Sequence, residues 1–224
     1  MRLCTALALV AASAGVARAD RDPPSIPDTV DDAPAGDCHA ALDAAGVRWE
    51  ATTRPGIADA VIVTGPIAGV TYASTSEHQP PLVLDCSLVV SLAIAGRYIT
   101  DLGIDHAIYS SAYQIRNVRG TNRRSKHSYG LALDVHVWSG PQAGTLSVER
   151  DFEQGQGDDI DCVGAPATEA GMALKILECQ LIRSGLFYLV LNPDYDADHY
   201  NHYHLEARPW AKRPHLRATT PALH

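Results

Sequence analysis

The sequence has no excess of basic residues and no apolar run long enough to cross a membrane. It carries 18 Lys and Arg against 26 Asp and Glu, a formal net charge of −8 at pH 7. Nucleic acids and anionic lipids are bound by basic surfaces, so we predict neither as a partner. A helix that spans a bilayer needs about 20 consecutive apolar residues, and the chain contains no uninterrupted run of that length. We therefore predict no membrane span.

The sequence also lacks a C-x-x-C pair, which is the usual mark of a cysteine-rich zinc site. One of its five cysteines lies at position 4; the others are Cys38, Cys86, Cys162 and Cys179. If the N-terminal segment is removed on export, an even number remains. Four cysteines in an exported domain favour disulfides and allow three pairings.

The N-terminus has the three parts of a secretion signal. Arg2 precedes a short apolar run, and small residues follow that end in Ala17-Arg18-Ala19, an A-x-A cleavage site. We predict residues 1–19 as a signal peptide and a secreted or periplasmic location. Residues 20–36 are rich in Asp, Pro and Ala, which predicts a flexible lead-in. Residues 37–210 are expected to form one domain and a monomer, and residues 211–224 a tail.

Apolar periodicity and turn residues predict helices mixed with short strands. Helices are expected at 38–45, at 88–102 before Gly103, and from a Thr168 cap to Ser184. In the last helix we predict an inner face formed by Met172, Ile176, Cys179 and Ile182. Strands are predicted at 61–63, 69–72, 82–84, 104–113, 131–138, 187–191 and 200–206. Without a regular strand-helix repeat, this pattern indicates an α+β domain with a small antiparallel sheet and flanking helices.

Candidate metal ligands occur at the strand predicted for 131–138. Alternation along this strand places Asp134 on the same face as Ala132 and His136. The small residues Gly130 and Ala132 leave room beside the carboxylate. His127 precedes the strand, and the turn at Gly130 can fold its side chain back over Asp134. We do not assign His136 as a ligand.

A second set of candidates lies near the C-terminal end of the domain. In a strand over 200–206, alternation places His202, His204 and Glu206 on one face. Imidazole and carboxylate groups are ligands that zinc binds well. Three protein ligands would leave a fourth position for water, which is the pattern of a catalytic zinc site.

Both segments resemble those of a known group of metallopeptidases. The residues Ser125-x-His127-x-x-Gly130-x-Ala132-x-Asp134 match the S-x-H-x-x-G-x-A-x-D signature of the lysostaphin and D-Ala-D-Ala metallopeptidase superfamily, and the later H-x-H matches as well. Within that group the chain is most similar to the bacterial extensin-like C-terminal domain family. This closer similarity covers Cys38 with Gly46-Val47, the helix after Cys86, Tyr113-x-x-Arg116, Leu191-x-Pro193-Asp194-Tyr195 and the H-x-x-H-x-H-L-acid ending.

The resemblance implies a function and a set of site residues. It implies that zinc is held by His127, Asp134 and His204, that His202 handles protons at the reacting water, and that Arg116 stabilises the charged intermediate. It also implies a fold like that of the Hedgehog and D-Ala-D-Ala peptidase proteins. The implied substrates are peptidoglycan peptides, cleaved by a carboxypeptidase or an endopeptidase.

The chain departs from the extensin-like pattern in one place. That pattern usually has a cysteine immediately before the arginine, and here the position is Ile115. The disulfide scheme must therefore differ, and we predict the pairs Cys38–Cys86 and Cys162–Cys179. The placing of Arg116 is affected as well, because three further arginines, at 119, 123 and 124, lie close to it in the sequence.

The alternative to an enzyme is a binding module of the same fold. Such a module would keep its zinc and present the cleft to cell-wall peptides or glycans without turnover. A metal-free domain held by disulfides is a further alternative. His202 favours the enzyme.

Overall fold

The structure, a computed structural model, describes residues 38–156 and 164–210. The helices are α1 (Cys38–Ala44), α2 (Cys86–Asp101), α3 (Val148–Asp151) and α4 (Glu169–Arg183). The strands are β1 (Trp49–Ala51), β2 (Ala60–Val63), β3 (Thr71–Ser74), β4 (Leu82–Asp85), β5 (His106–Ser111), β6 (Ala132–Gly140), β7 (Gly144–Ser147), β8 (Leu189–Leu191) and β9 (Tyr203–Glu206). A short 3-10 helix covers Lys126–Tyr129.

The strands form two sheets. The smaller is antiparallel, with the order β1-β2-β4. The larger has the order β3-β5-β6-β9-β8, and β7 pairs with the second half of β6. All pairs in the larger sheet are antiparallel except β3 with β5, which is parallel. The α+β class is therefore confirmed, with one parallel pair in a sheet that was expected to be antiparallel throughout.

Helix α2 forms the centre of the core. Asp85 caps its N-terminus by accepting a hydrogen bond from the Ser87 backbone N–H, and most of the helix is buried. It packs against α1 and α4, and the large sheet contributes buried Leu133, Trp138 and Tyr203 to the same core. Full burial of an aliphatic or aromatic side chain contributes about 1.5–3 kcal/mol, so this core holds β6 and β9 in place. No helix in the described residues has the length and apolar character that crossing a bilayer requires.

The predicted inner face of α4 is wrong. Thr168 caps the helix as expected, but Ile176 is exposed, and Leu174, Leu177 and Leu181 form the buried stripe. The sequence was misleading because Lys175 and Glu178 lie on the buried side, where their charged groups approach to 3.7 Å.

The observed strands near the site differ from the predicted ones by a few residues at their ends. β5 is shorter than the predicted 104–113, and the last strand begins at Tyr203 rather than at residue 200. His202 therefore precedes strand β9 and does not lie within it. The strands β1 and β7 and the short helix α3 were not predicted.

One predicted disulfide lies wholly within the described residues and is confirmed. Cys38 and Cys86 are joined, which ties the first residue of α1 to the first residue of α2. Cys179 is also disulfide-bonded, and its predicted partner Cys162 lies outside the described residues. The predicted signal peptide, the lead-in and the tail also lie outside them.

Candidate metal centre

The register of two neighbouring strands brings together residues that are far apart in the sequence. Asp134 in β6 lies directly opposite His204 in β9. The two side chains meet on the face of the sheet opposite Leu133 and Leu205, and Nδ1 of His204 lies 2.8 Å from Oδ1 of Asp134.

His127 reaches the same carboxylate from the 3-10 helix. Its Nε2 lies 3.1 Å from Oδ1 of Asp134. The helix ends at Gly130, whose φ of 64° is in the left-handed region. A Cβ at this position would lie 2.6 Å from the backbone nitrogen of Asp85. Only glycine therefore allows the close turn that places His127 over the strand.

These three side chains have the donor set of a zinc site. One possible ligand atom from each of His127, Asp134 and His204 lies within 4.8 Å of the others. His127 is fully buried, and Asp134 and His204 are no more than 9% exposed. Two imidazole nitrogens and a carboxylate oxygen that converge in a buried place suit zinc well, so the residues fit the metal that the sequence predicts.

Neighbouring groups orient the two imidazoles. Nδ1 of His127 donates to the backbone oxygen of Ala112, 2.8 Å away, because that oxygen can only accept. With the proton on Nδ1, the lone pair of Nε2 of His127 is available to bind a metal. Nε2 of His204 lies 3.7 Å from Glu206, whose other oxygen is 3.1 Å from Nζ of Lys126. Partners of this kind fix the tautomer and ring orientation of metal-binding histidines.

The charges in the cluster stabilise one another. Burial alone would raise the pKa of Asp134, but its contacts with His127 and His204 outweigh burial and hold that pKa far below its usual range. Burial alone would lower the pKa of His204, but the hydrogen bond to Asp134 and the nearby Glu206 carboxylate outweigh burial and raise the pKa to about 9. These contacts therefore favour the ionised carboxylate of Asp134 and the protonated imidazole of His204.

His202 lies beside the cluster, although it is not in the strand that was predicted for it. Its Nε2 is 3.5 Å from Oδ1 of Asp134, and its Nδ1 is 3.0 Å from Oδ1 of Asn201. Burial, the largest effect, lowers the pKa of His202 to about 4, although the Asp134 charge acts in the opposite direction. The imidazole is therefore neutral at pH 7.

Two further histidines adjoin His202. The rings of His136 and His199 each lie 5.2 Å from the ring of His202, between centroids. His199 was missed at the sequence level, where it was noted only as part of the H-x-x-H-x-H ending. Its Nδ1 is 2.6 Å from Oδ1 of Asp196. No periodic pattern predicts this placement, because Asp196 and His199 lie in a loop.

An irregularity in β5 turns two successive serines towards the histidines. The pairing of β5 with β6 shifts between Tyr109 and Ser111. Ser111 Oγ lies 3.2 Å from Nδ1 of His127, and Ser110 Oγ lies 2.6 Å from Nε2 of His136. Bulges often re-aim side chains beside functional sites in this way. The same two serines line a cavity of about 350 Å³, which also borders Pro80, Pro81, Tyr109 and Tyr113.

Arg116 is the arginine that the structure places at the cluster. Its Nη2 lies 3.7 Å from Oδ2 of Asp134, and its side chain is 40% exposed. The backbone N–H of Arg116 donates to Oγ of Ser128, which fixes the start of the arginine's loop against the 3-10 helix. Among its sequence neighbours, Arg119 pairs with Asp198 instead.

The fold and the site define an α+β domain with a buried histidine-carboxylate cluster of the kind that can hold a metal ion. The chain belongs to the family described as extensin-like protein C-terminus, whose profile matches residues 36–215. A search of curated proteins and a search of solved structures gave no significant match.

Proposed function

We propose that this chain is an exported zinc metallopeptidase that hydrolyses peptide bonds in peptidoglycan stem or cross-link peptides, as a carboxypeptidase or an endopeptidase. The observation that carries the proposal is the buried cluster of His127, Asp134 and His204 with His202 beside it. The proposal includes membership of the lysostaphin and D-Ala-D-Ala metallopeptidase superfamily, which rests on the S-x-H-x-x-G-x-A-x-D and H-x-H motifs.

The zinc ligands would be Nε2 of His127, the carboxylate of Asp134 and Nδ1 of His204. When bound, zinc would supply Lewis-acid chemistry, lowering the pKa of a water and polarising the carbonyl under attack. The hydrogen bond from His127 to Ala112 and the approach of Glu206 to His204 keep both rings directed at the shared site.

His202 would act as the proton carrier. Its neutral imidazole offers a lone pair at a position bordering Asp134. It would accept a proton as water attacks the peptide carbonyl and return that proton to the leaving amine. Acid-base assistance of this kind typically contributes about 100- to 10,000-fold in rate.

Arg116 would stabilise negative charge on the carbonyl oxygen. Its guanidinium lies at the edge of the cluster with 40% of its side chain exposed, so it remains accessible to a substrate. A fixed positive group aimed at a developing oxyanion lowers the barrier without reorganisation during the reaction. The cavity beside Ser110 and Ser111 would receive part of the peptide.

The substrate and the location come from different observations. Peptidoglycan is proposed from the motif resemblance, and export is proposed from the signal-like residues 1–19. The Cys38–Cys86 disulfide is consistent with an oxidising compartment.

The test is hydrolysis of purified peptidoglycan by the zinc-loaded protein. We expect release of free D-alanine or of separated cross-link peptides, detected by mass spectrometry, and no release by His127→Ala. If the protein retains zinc and binds peptidoglycan but releases neither product, the binding module is the better description. If the protein neither holds zinc nor binds peptidoglycan, the metallopeptidase and the binding module are both excluded.

A further inference from the structure

A loop beside the metal cluster forms a compact arm that is rich in arginine. We define the arginine arm as residues 116–124. Asn117 and Arg124 form an antiparallel bridge, and Val118 donates its backbone N–H to the oxygen of Arg123. At the base of the arm, the N–H of Ser125 donates to the oxygen of Arg116. These bonds give the arm a defined shape, so its side chains project from a fixed position.

The charge of the arm contrasts with that of the whole chain. The chain carries a net charge of −8, yet no Asp or Glu occurs between Asp105 and Asp134. The arm contributes four positive charges, from Arg116, Arg119, Arg123 and Arg124. A local cluster of positive charges attracts negatively charged ligands, even when the protein as a whole is negative.

Two of these arginines connect the arm to the site. Arg116 approaches Asp134 to 3.7 Å, and Arg119 pairs with Asp198, the residue before His199. The arm therefore links the carboxylate of the cluster with the loop that carries His199.

The other two arginines are available for a ligand. Arg123 and Arg124 are exposed, and no described carboxylate forms an ion pair with either of them. Guanidinium groups bind carboxylates through two parallel hydrogen bonds, which gives orientation as well as attraction.

We propose that the arginine arm is a subsite for carboxylate side chains of the peptide substrate, bound by Arg123 and Arg124 next to the cluster. This inference rests on the proposed function and narrows its substrate class to acidic peptides. A peptide is favoured over a nucleic acid because the chain as a whole is acidic and would repel a long polyanion.

The experiment compares two blocked peptides that differ only in side-chain charge. The probes are N-acetylated, C-amidated tetra-D-glutamate and tetra-D-glutamine. Binding is measured by calorimetry on the zinc-loaded protein at low salt, and peptide integrity is checked afterwards by mass spectrometry. Because an exposed ion pair strengthens binding by up to about fivefold, two should give tetra-D-glutamate an advantage of up to about 25-fold.

Arg123→Glu and Arg124→Glu should each remove most of that advantage without changing the melting temperature. Arg183→Glu is the matched control, because it makes the same change in net charge on exposed Arg183 at the end of α4 and should keep the preference. Salt at 0.5 M should weaken the binding of tetra-D-glutamate only, because it screens exposed charges.

Equal affinity for the two peptides, or an equal loss in Arg183→Glu, would overturn the proposal. Inorganic polyphosphate that binds through the arm while tetra-D-glutamate does not would also overturn it, in favour of a phosphate polymer. The assay measures binding, so its result is separate from that of the peptidoglycan test. If the protein cleaves peptidoglycan but shows no charge preference, the arginine-arm proposal is overturned and the proposed function stands.

Discussion

Asp134 and His204 are paired directly across strands β6 and β9, and their side chains touch at 2.8 Å although 70 positions separate them in the sequence. The backbone register of the sheet sets this distance. His127, five residues before the start of β6, completes the group from the 3-10 helix. The site is therefore largely organised in advance, which lowers the cost of binding a ligand.

We predict one zinc per chain, bound by His127, Asp134 and His204. His127→Ala and His204→Ala should each weaken zinc binding by more than about 100-fold, beyond the 10- to 100-fold typical of changes outside the ligand set. Zinc is measured by mass spectrometry after dialysis against a chelator. His78→Ala, at an exposed position, is the control and should retain zinc. Stoichiometric zinc in both ligand variants would contradict the assignment.

We predict that His202→Ala keeps zinc and the fold but loses about two to four orders of magnitude in turnover. The reason is that His202 adjoins Asp134 without belonging to the ligand group. Hydrolysis of a cell-wall peptide is measured at saturating zinc, with a substitution of the exposed first residue of β5, His106→Ala, as control. If His202 only orients a neighbour, zinc affinity should fall by about 10- to 100-fold and excess zinc should restore the rate. Equal rates in parent and variant would remove His202 from the mechanism.

Arg116→Lys should lower kcat by about 100-fold or more while leaving zinc binding intact. Lysine keeps the charge but lacks the planar fork of arginine, and the loss of one oxyanion donor typically costs about 100- to 1,000-fold. Steady-state kinetics on the same peptide measures the effect, with Arg183→Lys as control. A normal kcat with a raised KM would show that Arg116 binds substrate without stabilising the intermediate.

Glu178 should make the domain less stable as the pH rises. Burial raises its pKa to about 7, although Lys175 and Asn192 act against this shift. The folded state therefore holds the proton more tightly than the unfolded state, in which the pKa is about 4.3. The resulting stabilisation is complete below pH 4 and is lost as the pH rises through about 7.

Between pH 4.5 and 8, the unfolding free energy of the parent should fall by about 3 kcal/mol relative to that of Glu178→Gln. Urea unfolding at a series of pH values measures it. Glu153→Gln is the control. Hydrogen bonds from Thr168 and Ala167 lower the pKa of Glu153. The unfolding free energy of Glu153→Gln relative to the parent should therefore stay constant above pH 5. A flat difference for Glu178→Gln would contradict the prediction.

Removal of the Cys38–Cys86 disulfide should destabilise the domain by up to about 4 kcal/mol, because the bond closes a long loop in the unfolded chain. The two cysteines are 48 positions apart. Urea unfolding of the double Cys38→Ala/Cys86→Ala variant tests this value, and an unchanged midpoint would contradict it. Peptide mapping without reduction should also link Cys162 to Cys179, whereas a peptide joining Cys86 to Cys179 would exclude that pair.

The sequence was sufficient for features that depend on neighbouring residues. The cap at Thr168, the turn at Gly130 and the alternation that directs Asp134 away from Leu133 all follow from local chemistry. The motif around His127 also lies within one short segment. Its residues were therefore identified correctly as neighbours in space, and the α+β class followed from the order of the elements.

The tertiary structure decided the features that depend on contacts between distant segments. Residues 203–206 could be predicted as a strand, but their pairing with β6 brings His204 to Asp134. The inner face of α4 includes Lys175 and Glu178, whose burial depends on the approach of their two charged groups to each other. The shift in β5 that turns Ser110 and Ser111 to the same side, and the contact of His136 with His202, follow from the pairing of separate strands. Local periodicity carries no information about either, because the energies that select them arise only when the segments meet.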